Sequence, residues 1–82
     1  MKDEYYITSD LGLATTLSLF TKIKGTDKSD PRRVMFSFKN TADVSKIVKD
    51  YWDKKLKVEP FTYYMQMRSI KNMIYEQIRQ AD

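Results

Sequence analysis

The sequence predicts a small α+β domain, and three observations carry that reading. From Val34 to Phe38 apolar side chains alternate at the two-residue period of a strand, with Val34, Phe36 and Phe38 on one side and Met35 and Ser37 on the other. Val44, Ile47, Val48, Tyr51 and Trp52 recur at the spacing of one helix face. Tyr63, Met67, Ile70, Ile74 and Ile78 form a second helical stripe near the end of the chain.

The elements follow in order. Glu4 to Thr8, rich in aromatic and β-branched residues, reads as a short strand. Ser9 or Asp10 then caps a helix by accepting a backbone N–H bond, and Leu13, Leu17 and Phe20 share its inner face. Gly25 fits the residue just past that helix, with Lys22 and Lys24 suiting the negative end of its dipole. Thr26 to Pro31 is a polar loop. Arg33 to Lys39 reads as the central strand, and Asn40 or Thr41 caps the second helix, whose opposite face is charged. Leu56 and Val58 alternate with lysines as a short third strand or extended segment. Pro60 opens the last helix, where its missing N–H costs nothing, and the helix runs to about Gln80. The predicted order is β-α-β-α-β-α, one domain over residues 1–82 with residues 1–3 frayed. A short two- or three-stranded sheet packs against three helices. A near all-helical bundle with a two-stranded ribbon is the alternative.

Composition limits the function. The chain has 82 residues, no cysteine and no histidine, which excludes disulfides and thiolate or imidazole metal sites. The acidic residues lack the spacing of a calcium loop, and without histidine or cysteine only a Ser–Lys arrangement is left to activate a nucleophile, with no local motif that supports one. Two glycines so far apart cannot form a phosphate-cradling loop. We therefore expect a non-enzymatic protein without cofactor or metal. The charged start MKDEYY and the absence of a long apolar run predict a cytoplasmic protein with no membrane contact.

What remains is binding. The net charge is +4, which favours an anionic partner. The stretch YWDKKLKVEP places Tyr51 and Trp52 beside Lys54, Lys55 and Lys57. Read structurally, the aromatics are core residues and the lysines close a helix and flank a strand. Read functionally, these lysines join Lys28, Arg32 and Arg33 in a basic patch for nucleic acid or a host nucleoprotein complex, with Tyr5, Tyr6 or Tyr63 available for stacking. No sequence-specific nucleic-acid motif is present. A protein–protein inhibitor of a host defence system, anti-CRISPR-like or otherwise, is the second reading. Leftover apolar surface would also suit a homodimer.

TSDLGLATTL, the FSF strand, a helix ending in DYW and the segment LKVEPFTYY occur in that order. Together they resemble a small uncharacterised domain family of bacteria, archaea and their phages or mobile elements, over Tyr5 to Ile78. The resemblance implies no activity. It implies fold-forming roles for Asp10, Leu13, Ala14, Phe36, Phe38, Tyr51 and Val58, and a phage or mobile-element origin.

Overall fold

The computed structural model describes residues 4–30 and 32–80, the side chains of residues 77–80 excepted. The chain runs β1 (Tyr5–Thr8), α1 (Leu11–Ser18), β2 (Ile23–Asp27), β3 (Met35–Lys39), α2 (Ala42–Trp52) and α3 (Pro60–Gln80). The expectations for residues 1–3 and for the side chains of Ile78 and Arg79 lie outside the described residues.

As its alternation requires, β3 is the middle strand. The sheet order is β1-β3-β2 and both pairings are antiparallel, with Thr8 opposite Phe36 and Tyr6 opposite Phe38. Phe36 and Phe38 are fully buried on one side of the sheet, where they meet Leu13, Ala14 and Leu17 of α1, Val44 of α2 and Ile70 of α3. Helices thus cover one side only. On the other side Tyr5 and Ile7 stay exposed. A sheet with one solvated side is the usual antiparallel arrangement.

The α+β class, the three-stranded sheet and the three helices match the expectation; the third strand lies elsewhere. The observed order is β-α-β-β-α-α, because the segment expected to end the first helix is β2. Leu19 closes α1 in a tightened turn: its N–H donates to Thr16 O at 3.1 Å, and those of Phe20 and Thr21 donate to Leu17 O at 3.0 and 2.9 Å. A central strand needs backbone partners along both sides. Ile23–Asp27 supplies the second set, and the β-branched Ile23 and Thr26 suit that role. Gly25 is not a left-handed helix terminator, since its φ is not positive. It stands beside a bulge at Lys24, where Ile23 pairs with Phe38 and Gly25 with Ser37. Leu56 and Val58 form no strand. They lie half-buried in the connection from α2 to α3. Phe20 and Trp52, expected inside, are exposed, and Trp52 packs edge-to-face on Tyr51 with ring centroids 5.0 Å apart.

Local signals set the helix ends. Asp10 caps α1 by accepting from Leu13 N at 2.9 Å, and Thr41 caps α2 by accepting from Val44 N at 3.1 Å. Glu59 caps α3, accepting from Phe61 N at 3.0 Å and Thr62 N at 2.7 Å. Those backbone bonds hold its carboxyl below the usual range. At the far end of α2, Lys54 takes a left-handed φ of 63°. Lys54 N donates to Tyr51 O at 3.2 Å and Lys55 N to Asp50 O at 2.9 Å, the paired bonds that commonly close a helix around glycine.

Candidate nucleic-acid interface

The turn joining β2 to β3 carries three of the six predicted basic residues. Asp27 accepts from Ser29 N at 2.9 Å and from Ser29 Oγ at 2.6 Å. Asp30 Oδ1 accepts from Arg32 N at 3.0 Å, and Arg33 N donates to Asp30 O at 2.9 Å. Both aspartates are thus tied to the turn itself, a common use of Asp in turns. Ser29's bonds hold the Asp27 carboxyl below its usual range, so it stays ionised. Arg32 and Arg33 are exposed, and Lys28 is half-buried nearby in sequence. Arg33 Nε reaches across to donate to Ser9 Oγ at 3.2 Å, linking the turn to the β1–α1 junction.

An open groove of about 240 Å³ lies beside this turn. Arg32 and Arg33 line it from the turn, Ser9 from the β1–α1 junction, and Lys71, Ile74 and Tyr75 from α3. Among the described residues no carboxylate lines it. Lys71 and Tyr75 are the residues that sequence reading missed as site members. They lie 38 or more positions along the chain from Arg33, and only packing of α3 brings them there. Lys54, Lys55 and Lys57 occupy the α2–α3 connection and do not line this groove. Among the tyrosines expected to stack, Tyr5 is exposed on the open side of the sheet, while Tyr6 and Tyr63 are half-buried.

The outward side of α3 extends the groove. Tyr64, Arg68, Lys71 and Tyr75 are all exposed and stand at i, i+4, i+7 and i+11. The Arg68 guanidinium lies 5.9 Å from the centre of the Tyr64 ring, within cation–π range. The helical spacing was visible in the sequence, but which side of α3 the sheet would cover was read chiefly from the apolar stripe. Tyr64, next to Tyr63 of that stripe, is 55% exposed.

A second cluster lies over the start of α1. The position that a Gly12 Cβ would take is 2.6 Å from the Tyr51 hydroxyl, 3.3 Å from Asp10 Oδ1 and 3.4 Å from the Tyr63 hydroxyl. Burial first, and then the Asp10 charge, raise the pKa of both tyrosines. Their hydroxyls therefore hold their protons and are poor bases. Tyr51, Tyr63, Thr16, Leu56 and Val58 line a mostly apolar cavity of about 230 Å³. Asp10 Oδ1 in this cluster serves as the cap of α1. Among the described residues no group of three acidic side chains could hold a metal ion, and no helix is long and apolar enough to cross a membrane.

No curated protein and no solved structure matches the chain. A family model does, over residues 3–76. The strand–helix pattern noted in the sequence is therefore that of a defined family, and the chain belongs to the domain of unknown function DUF5659.

Proposed function

We propose that this is a non-catalytic binding protein of phage or mobile-element origin, acting in the cytoplasm on nucleic acid or a nucleic-acid-containing complex. The observation that supports it is the groove at the β2–β3 turn, which joins Arg32 and Arg33 to Lys71 and Tyr75 with no carboxylate among the described lining residues. Guanidinium and ammonium groups bind phosphate, and an exposed tyrosine adds a surface for a base. The lysines at 54, 55 and 57 offer a second basic stretch.

The test is binding of labelled single- and double-stranded oligonucleotides at low and at physiological salt. The expected result is micromolar or tighter binding that weakens as salt rises, and that falls on every sequence when Arg32 and Arg33 are changed to glutamate. No binding at low salt overturns the proposal.

A second reading, a protein–protein inhibitor of a host defence system, is favoured by the exposed apolar side chains Phe61, Trp52, Phe20 and Ile7. Such binding would tolerate moderate salt and collapse on truncation of a single exposed aromatic.

A further inference from the structure

We infer that the outward side of α3 is a platform for single-stranded nucleic acid, running from Tyr64 to the groove at Arg32 and Arg33. The inference rests on the nucleic-acid reading above and specifies its substrate. Tyr64, Arg68, Lys71 and Tyr75 fall within about 60° of arc at 3.6 residues per turn, so all four point one way. In order they are ring, cation, cation, ring. Tyr64 and Tyr75 are 55% and 58% exposed, and tyrosine is a residue enriched at interfaces. They are separated by roughly 16 Å of helix rise, room for a few nucleotides. Phe61, 67% exposed, extends the same strip toward the start of the helix.

Charge complementarity fixes the occupant as an anion. Between Phe61 and Tyr75 the helix carries Arg68 and Lys71 and no acidic residue. Arg32 and Arg33 add two cations where Lys71 and Tyr75 enter the groove. The rings fix it as a strand with unpaired bases. In a duplex the base faces are stacked on one another, and exposed tyrosines on a helix would meet only sugar and phosphate. In a single strand every base offers a π-face, and stacking on tyrosine needs no particular sequence. That matches a surface with no base-reading motif. A second copy of the chain fits poorly: two α3 helices crossing antiparallel with Phe61 against Tyr75 would bring Arg68 against Arg68.

The experiment compares a labelled oligothymidylate with a mixed-sequence duplex of equal length, by fluorescence anisotropy across a salt series. The single strand should bind about tenfold or more tightly. Its log affinity should fall with log salt at a slope near −3, from four cations at about 0.7 each on a single strand. Tyr64→Ala and Tyr75→Ala should each weaken it roughly tenfold. Tyr→Phe at either position should retain binding, since the ring and not the hydroxyl does the stacking. Both side chains are exposed, so circular dichroism should show the fold intact in all four variants. Arg68→Gln should lower the slope by about 0.7. Equal or tighter duplex binding with neutral tyrosine variants overturns this inference and leaves the basic-groove proposal standing. No binding of either probe at low salt overturns both.

Discussion

Helices α1 and α2 are neighbours built on opposite principles. α1 has eight residues, no charge, and the poor helix formers Gly12, Thr15 and Thr16. Yet Leu13 through Leu17 are all buried, and the helix packs against both α2 and α3. Its threonines are tolerated inside because each hydroxyl finds a carbonyl one turn back: Thr15 Oγ1 donates to Leu11 O at 2.8 Å and Thr16 Oγ1 to Gly12 O at 2.9 Å. α2 has eleven residues and buries only Val44 fully. It carries its own supports: the Thr41 cap, Asp43 in the first turn, and the pairs Lys46–Asp50 and Lys49–Asp53. One helix exists because the fold encloses it, the other because its own sequence favours it.

Mutations that attack enclosure should therefore cost more than mutations that attack local support. The largest loss is expected for Leu17→Ala, which empties a fully buried position in α1. Chemical denaturation should show a drop of about 3 kcal/mol, the middle of the range for buried leucine truncation. A loss under about 1 kcal/mol would mean that α1 is not the central element we describe.

Gly12→Ala comes next. Alanine ordinarily improves a helix by up to about 1 kcal/mol over glycine. Here the new methyl would meet the Tyr51 hydroxyl, so the change should destabilise. In a Tyr51→Phe background the shortest contact is gone, leaving those to Asp10 Oδ1 and the Tyr63 hydroxyl, and the same change should cost less. A double-mutant cycle should give a coupling of about 1 kcal/mol or more, and additivity would refute the contact.

At the ends of α2 the effects shrink. Thr41→Ala should cost about 1 kcal/mol for the lost cap bond. Lys54→Gly should add up to about 1 kcal/mol, because the left-handed conformation strains any side chain with a Cβ. Thermal denaturation can read both, and a loss on Lys54→Gly would show that the lysine side chain contributes there. The smallest change is Lys46→Ala: the lysine of the pair with Asp50 is mostly exposed, and a loss of about 0.3 kcal/mol that fades with salt is expected.

The same contrast explains what the sequence disclosed. β3 and α2 were legible because period and caps lie within a few residues: Phe36 and Phe38 alternate, and Thr41 precedes Val44 at cap spacing. β2 was not. Gly25 after Lys22 and Lys24 imitates the end of a helix, and only the otherwise unpaired side of β3, beyond the next turn, demands a strand there. Trp52 misled for a similar reason. It completes the helical pattern of α2 yet is 58% exposed, while Tyr51 beside it is half-buried. At the candidate site, Arg32 and Arg33 could be read as charges in a loop. Their association with Lys71 and Tyr75 depends on how α3 crosses the sheet, and no spacing within either segment records it. Nor did the sequence indicate that Lys54, a candidate phosphate ligand, also serves as the left-handed close of a helix.

The bulge at Lys24 has a further effect. β2 is a border strand, and a flat border strand can recruit a strand from another chain, the first step of aggregation. An extra residue with an exposed lysine bends that border and leaves its hydrogen-bonding groups out of line. The opposite border, β1, is only four residues long. A sheet guarded in this way resists growing by strand addition, which leaves association of this protein to its helices and to the open face of the sheet.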